Sequence, residues 1–263
     1  VLLNDPEVET LASDAGFSVT YYSVVIMKEA FLSNYLQNEA RKSLVTCLAW
    51  VIFALTLLVV GIAAGVALII VSGAVAFVIS IFVVARHGPM YATYRCGVQG
   101  EGILRAHLRS SELSDEYTAY YNLPTNGNGG ISDIDCILVG PSGVNVFEVK
   151  HHHGLILYRN GNWARIKVGR RGTPYRGQIG NPSHQLSRNI RKLKQILGRT
   201  HVDALWLRGA IVFTNPRAAL DIEGLRWVKA VMVKDLNQVL SGRTLSADQT
   251  DRVNTCLAAF AEK

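Results

Sequence analysis

Two patterns of apolar residues divide the chain. From Leu44 to Ala85 run 42 residues without a charged side chain, whereas beyond residue 87 the apolar residues come in short runs punctuated by Gly, Pro and Asn. The long run is about twice the ~20 residues that cross a bilayer as a helix. A single helix of that length would extend ~63 Å at about 1.5 Å per residue, so two spans are expected, with a break near Gly61-Ile62-Ala63-Ala64-Gly65. Gly61 and Gly65 have the spacing of a close helix-packing motif, but their place at the break assigns them to the turn. Arg41 and Lys42 flank one end and Arg86 and His87 the other. Basic flanks on both outer ends place both termini in the cytoplasm, as a multi-pass protein of the plasma (inner) membrane. The competing reading is a buried helical hairpin, although soluble cores rarely need so long an uncharged run. Residues 20–43 read as a helix entering the first span and residues 1–19 as a loop or irregular element. The first residue is Val1, so the natural start is expected upstream, and no cleavable signal peptide is read.

The remaining chain alternates between two periodicities. Gly97 to about Ser111 reads as a helix with Val98, Ile103, Leu104 and Leu108 on its apolar stripe, and Tyr117–Leu123 as a strand. Residues 124–130 read as a loop. Two apolar runs, 134–139 and 144–150, flank Gly140-Pro141-Ser142-Gly143, the signature of a hairpin. A second hairpin is expected about Asn160-Gly161, then a Gly/Arg-rich loop over 168–182 and a helix from Ser183 to Leu197. Strands are expected at Leu207–Phe213 and Val228–Val233, and short helices near 235–241 and 247–261. Mixed strands framed by helices give an α/β class. The division is 1–43, an N-terminal cytoplasmic segment and helix; 44–86, a transmembrane hairpin; and 87–263, the domain of mixed strands and helices.

Charge sharpens this picture. The net charge is only +7, yet Val149 to Val202 holds twelve Lys or Arg and no Asp or Glu. Arg165, Lys167, Arg170, Arg171, Arg176, Arg188, Arg191 and Lys192 belong to this run, the electrostatic footprint expected for a nucleic-acid backbone. Anionic lipid head groups are the competing partner. The four cysteines, Cys47, Cys96, Cys136 and Cys256, show no paired spacing, which points to neither zinc nor disulfides.

The candidate chemistry lies on the first hairpin. If it closes symmetrically about Pro141 and Ser142, Val139 faces Val144 and, in the same register, Asp135 faces Glu148. Directly opposed residues lie roughly 4.5–5.5 Å apart at Cβ, and Glu148 and Lys150, two apart, share a face. Two close carboxylates repel unless they share a proton or a cation, and a hydrated Mg²⁺ or Mn²⁺ fits such a patch. A one-residue slip would separate the groups, and a plain cross-strand Glu148–Lys150 ion pair is the simpler alternative. The run His151-His152-His153 alternates along an extended chain and makes a poor chelate, so solvent or substrate contact is expected there. Trp163, Tyr158 and Trp206 are assigned to core or edge packing.

Asp135 followed by Glu148-x-Lys150 resembles the core of the PD-(D/E)xK nuclease superfamily. With Gly97-x-x-Gly100-Glu101 before it and Asn181-Pro182-x-x-Gln185 after it, the order is similar to the nuclease-related domain, NERD, and more distantly to Mrr-type restriction endonucleases, over roughly residues 95–215. Cys136 stands where relatives often carry a polar residue, and His151–His153 where a small polar residue is usual. The resemblance implies a restriction-endonuclease-like mixed sheet flanked by helices, here preceded by a two-helix transmembrane hairpin. It also implies metal-dependent hydrolysis of phosphodiesters, with DNA as the expected substrate. Asp135 and Glu148, with the Val149 carbonyl, would hold Mg²⁺ or Mn²⁺; Lys150 would position water or stabilise charge; Glu101 would be a further ligand or water-orienting group; Gln185 would orient the site or bind phosphate. Asp133 is the alternative to Asp135, and Glu101 and Gln185 have simpler readings as helix-surface residues. Expected partners are nucleic acid, the lipid bilayer, and a second copy or another protein. The alternative function is a non-catalytic module that binds nucleic acid or a partner in a membrane complex; a lipid-facing scaffold is a third.

Overall fold

The computed structural model describes residues 27–31, 33–111, 113, 116–127, 130–198, 207–240 and 245–259. Two long helices open the fold, α1 (Tyr35–Ala64) and α2 (Ala67–Ser110), joined by a turn in which Gly65 adopts φ 66°. The break thus falls at Gly65, one of the few residue types that enters this left-handed region without strain. The helices pack as a hairpin, and two glycines set how close they come. A Cβ on Gly61 would lie 2.7 Å from Ile70 N, and one on Gly73 would lie 2.8 Å from Leu58 N. Gly61 therefore works as a packing residue as well as a neighbour of the turn.

Both helices are long and apolar enough to cross a membrane. Their outer faces are apolar and uncovered, with Leu68 80% exposed. Two exposed hydroxyls on them bond to their own backbone: Thr56 Oγ1 donates to Ile52 O at 2.9 Å and Ser72 Oγ to Leu68 O at 2.8 Å. That arrangement suits a solvent that offers no hydrogen bonds.

The helix expected over 20–43 is corrected. Residues 20–26 lie outside the described residues, Lys28–Phe31 form a strand, β1, and the helix begins at Tyr35. Its strand neighbour is β2 (Thr118–Gly127), with which β1 runs parallel, Lys28 opposite Thr118. Side chains reinforce the pairing. Arg109 Nη2 meets Glu29 Oε2 at 2.6 Å, and the Arg105 guanidinium lies 4.4 Å from the centre of the Phe31 ring, which itself stacks on Tyr121. The segment before the hairpin and the domain after it are thereby bound together, so both ends of the hairpin emerge on one side.

After β2 come β3 (Gly130–Gly140), β4 (Gly143–Lys150), β5 (Gly154–Arg159), β6 (Asn162–Val168), β7 (Pro174–Gly177), helix α3 (Pro182–Leu197), β8 (Leu207–Phe213), β9 (Ala218–Ile222), β10 (Lys229–Met232), a 3-10 helix (Val233–Gln238) and helix α4 (Ala247–Ala258). One sheet has the order β1-β2-β3-β4-β8-β10 and a smaller one β7-β6-β5-β9. The large sheet is mixed: β2, β3 and β4 are antiparallel, whereas β4, β8 and β10 are parallel. Helices cover both faces. Leu104 and Leu108 of α2 pack with Cys136, Leu138 and Phe147; Leu186 and Leu193 of α3, with Val253 and Leu257 of α4, pack with Ile137, Val146 and Ile211. The architecture is α/β, a mixed sheet flanked by helices and preceded by two apolar helices.

Several boundaries differ from the sequence expectation. Gly97–Ser111 is not a separate helix but the end of α2, which runs unbroken through Pro89 and across the boundary placed at 86–87. Proline costs one backbone hydrogen bond inside a helix, here the one to Ala85 O, yet the helix continues through it. The loop expected at 124–130 is largely strand, because β2 and β3 extend into it. The loop over 168–182 contains β7, and β9 was not anticipated. The helix expected near 235–241 is the 3-10 helix. Tyr158 and Trp163 are core residues, paired across the hairpin turned by Asn160 (φ 50°) and Gly161 (φ 81°); Trp206 lies outside the described residues.

Candidate active site

Strand register builds the site. Val139 pairs with Val144 and Cys136 with Phe147, the register expected from symmetric closure. The ladder stops there, one step before Asp135 and Glu148. In place of another rung, Asp135 Oδ2 accepts the backbone N–H of Val149 at 2.6 Å. The carboxylate is thus tied to the edge of β4 between Glu148 and Lys150.

The strands also change face at this point. Tyr121 and Cys136 pack in the core beneath α2, whereas Leu123 and Ile134, two residues away in each strand, pack in the core beneath α3. Between them sit Asp135 and Asn122, the latter held at φ 58°. A non-glycine residue in this region is strained, Asn least among them. This local twist brings groups from both sides of the sheet to one place. Asn122 Nδ2 donates to Glu101 Oε2 of α2 at 3.1 Å and to Ser33 O at 3.2 Å.

The resulting pocket has a volume of about 300 Å³. Glu101, Asp133, Asp135, Glu148, Lys150 and Gln185 all line it, so every acidic, basic and amide residue expected at the catalytic centre is gathered here. Its remaining wall includes Leu36 of α1 and Thr93, Tyr94 and Gly97 of α2. Gly100 is the contact at which α2 approaches β4, since a Cβ there would meet His151 Cβ at 2.9 Å. On the other side α3 starts at the Asn181-Pro182 pair. Asn181 Oδ1 accepts the N–H of His184 at 3.0 Å, and proline occupies the first turn, where its missing N–H costs nothing. That start directs Gln185, Arg188 and Asn189 into the pocket.

Glu148 is 4% exposed and each of its oxygens accepts one hydrogen bond, Oε1 from Lys150 Nζ at 2.7 Å and Oε2 from Asn189 Nδ2 at 3.1 Å. Burial and the nearby Glu148 carboxylate raise the pKa of Asp135 well above the ordinary carboxylate value. Burial pulls Lys150 down, but Glu148 and Asp135 outweigh it and its pKa is raised. Glu101, 8% exposed, is pushed up to about 7, chiefly by burial, with the Asn122 hydrogen bond opposing. Asp133 is also raised by burial and accepts from Ser33 Oγ at 3.1 Å.

The pocket is therefore rich in acceptors that repel one another. Asp133 Oδ1, Gln185 Oε1 and Asn189 Oδ1 are buried and have no hydrogen-bond partner among the described residues. Buried oxygens without donors are costly, and a hydrated divalent cation would answer that surplus. No three His, Cys, Asp or Glu side chains among the described residues gather into a cage for an ion. The set instead offers the carboxylates of Asp135 and Glu148 with amide oxygens, which suits a hard cation that keeps several waters. The Val149 carbonyl faces the same way. Thr214 N bonds to Lys150 O, so Lys150 turns toward β8, and the groups of Val149 turn toward Asp135.

Residues 97–214 match the family model described as Nuclease-related domain, NERD. The chain carries a nuclease-related domain. A similar protein in Streptomyces coelicolor, described as probable kinase PglW, is 29% identical over 102 residues, 38% of this chain and 6% of that protein. The chain thus spans a small part of this relative's length, and the kinase description is said of that protein alone. No solved structure matches the chain. The nuclease-related domain holds all five expected catalytic residues and their backbone neighbour Val149.

Three residues escaped the sequence reading: Asn189, which lines the pocket, and Asn122 and Ser33, which bond to its Glu101 and Asp133. Asn122 and Asn189 carried no motif, and Ser33 belongs to a segment read as helix; only the strand twist and the helix packing bring them in. Arg165 is a correction in the other direction. Expected at the surface among the nucleic-acid contacts, it is 6% exposed and held by His153 O at 2.8 Å, His152 Nδ1 at 3.2 Å and His153 Nδ1 at 3.0 Å. Burial and the Arg165 charge lower His152 to about 4. His151 lines the pocket with its Nδ1 3.0 Å from Thr214 Oγ1. Arg188 and Arg191 are exposed on α3, as are Arg170, Arg171 and Arg176 about β7; Lys167 is half-buried. Lys192 is half-buried too, with Nζ 3.0 Å from Thr125 Oγ1.

Proposed function

We propose that this chain is a membrane-anchored, metal-dependent nuclease of the PD-(D/E)xK type that hydrolyses phosphodiester bonds, with DNA as its substrate. The observation that carries the reading is the convergence of Asp135, Glu148 and Lys150 with unpaired acceptor oxygens in one pocket of a nuclease-related domain. Mg²⁺ or Mn²⁺ bound by Asp135, Glu148 and the Val149 carbonyl would supply Lewis-acid polarisation of a phosphoryl oxygen and a lowered pKa for a bound water.

The chain's own residues divide the remaining work. Lys150, kept cationic by its two carboxylate neighbours, places a positive charge where charge develops on the phosphate. Asn189 holds Glu148 from behind, and the Val149 N–H fixes Asp135. Glu101, with a pKa near working pH, is suited to orient water or exchange a proton with it. Gln185 offers its free oxygen to that water, and Arg188 lines the pocket where a phosphate would enter. Arg191, one helical turn onward, extends the positive edge along α3.

The apolar hairpin is the membrane anchor, with both of its ends and the nuclease domain on the cytoplasmic side. The pairing of β1 with β2 supports a common side, and the basic flanks Arg41, Lys42 and Arg86 support the cytoplasm. The test is metal-dependent phosphodiester cleavage by the purified full chain, abolished by chelation. DNA binding without cleavage in Mg²⁺ and Mn²⁺ would replace this reading with a non-catalytic module.

A further inference from the structure

The turn between β6 and β7 carries an exposed feature for which the pocket has no use. Val168 is 70% exposed and Tyr175 51% exposed, on neighbouring strands, with Lys167 opposite Tyr175. Arg170 and Arg171 occupy the turn and Arg176 follows, with no acidic residue between Val149 and Val202. The turn is built: Gly169 N donates to Thr173 O at 2.9 Å, Gly172 N to Gly169 O at 3.0 Å, and Gly172 takes φ 77°. A rigid tip of valine and tyrosine ringed by arginines has the amphipathic chemistry of a membrane interface.

Its place along the anchor favours the same partner. β6 is held at Arg165 by His152 and His153, and the adjacent His151 meets α2 at Gly100. Arg165 itself interacts with Cys96 of α2, and from Cys96 α2 descends to the end of the uncharged run at Ala85 over ~16 Å, at about 1.5 Å per helical residue. From Arg165 to Val168, where β6 ends, the extended chain covers ~10 Å, at about 3.3 Å per residue, and the turn lies beyond it. The head-group layer extends roughly 5–7 Å beyond the hydrocarbon, so the tip is long enough to reach that layer.

We propose that the β6–β7 tip is a second membrane contact, in which Arg170 and Arg171 bind anionic lipid head groups while Val168 and Tyr175 enter the interface. The inference rests on the membrane reading of the hairpin. It divides the basic run, leaving α3 with Arg188 and Arg191 to nucleic acid and giving the tip to lipid, and it orients the nuclease pocket over the membrane.

The test is hydrogen exchange on the full chain in lipid nanodiscs of either phosphatidylglycerol or phosphatidylcholine. The expected result is that amides 168–175 exchange roughly 10-fold slower over phosphatidylglycerol, and that an Arg170→Glu/Arg171→Glu variant loses this difference. Equal exchange in the two lipids, in discs that hold the protein, overturns the tip contact and leaves the anchor and the nuclease standing. Protection that appears only on adding an oligonucleotide overturns it in favour of nucleic acid. Failure of the chain to enter discs of either lipid overturns both the anchor and the tip, whatever its cleavage activity.

Discussion

Asp135 Oδ2 and the Val149 backbone N–H, 2.6 Å apart, complete the β3–β4 pairing with a side chain where a strand rung would otherwise lie. This dual duty separates two substitutions. Asp135→Ala removes the acceptor and leaves a partly buried N–H unpaired, a loss of about 1–3 kcal/mol. Asp135→Asn keeps an oxygen for Val149 and removes the repulsion with Glu148. Thermal melts of metal-free protein in detergent are expected to place the Asn variant at or above wild type and the Ala variant below it, with both inactive. An Ala variant as stable as wild type would mean that the contact does not hold the strand edge.

Asn122 is expected to matter through its side chain rather than its backbone. Asn122→Gly suits φ 58° but deletes the bonds to Glu101 and Ser33. Losing a group that orients others in such a site typically costs roughly 10–100-fold. Activity should fall by that order while the melting temperature stays close to wild type. Asn122→Ala adds backbone strain and should lower both. Full activity in the Gly variant would remove Asn122 from the site.

The pH dependence of stability follows from Glu101. Its folded pKa is raised to about 7, so the folded state holds this proton more tightly than the unfolded chain. Its stabilising contribution is complete below the unfolded value near 4.5 and is lost as pH rises through about 7. Asp135, also raised, acts in the same direction. Metal-free protein should therefore melt lower at about pH 8 than at about pH 5, and Glu101→Gln should flatten the slope. A melting temperature that rises over this range would contradict the burial of these carboxylates.

The apolar hairpin is expected to be part of the catalytic unit. Leu36, Thr93 and Tyr94 line the pocket, and Ser33 bonds to Asp133. A chain beginning at residue 97 retains the whole matched domain but lacks that wall and β1. We expect it to lose most of its cleavage activity even when soluble, measured on the same plasmid as the full chain. Undiminished activity would make the hairpin a tether only.

Much of this was legible in the sequence, for identifiable reasons. The 42 uncharged residues foretold the helical hairpin because length and charge decide that pattern. The Val139–Val144 register followed from a short Pro/Gly turn between two apolar runs, and it carried Asp135, Glu148 and Lys150 to one place. Glu101 and Gln185 came only through the family resemblance, since a lone residue on a helix has no visible direction. Asn122, Asn189 and Ser33 were hidden because each acts through a tertiary contact. The continuity of α2 was hidden by Pro89, which reads as a stop until the packing that tolerates it is known. Arg165 was misplaced because a charge run shows sign but not burial.

The most direct measurement is nicking of supercoiled plasmid by the purified full chain in Mg²⁺ or Mn²⁺ against EDTA, with Asp135→Ala and Lys150→Ala beside wild type. The account predicts metal-dependent nicking that disappears with Asp135→Ala and falls by about 10²–10³-fold with Lys150→Ala. Wild-type DNA binding without cleavage, or cleavage that survives both substitutions, would contradict it.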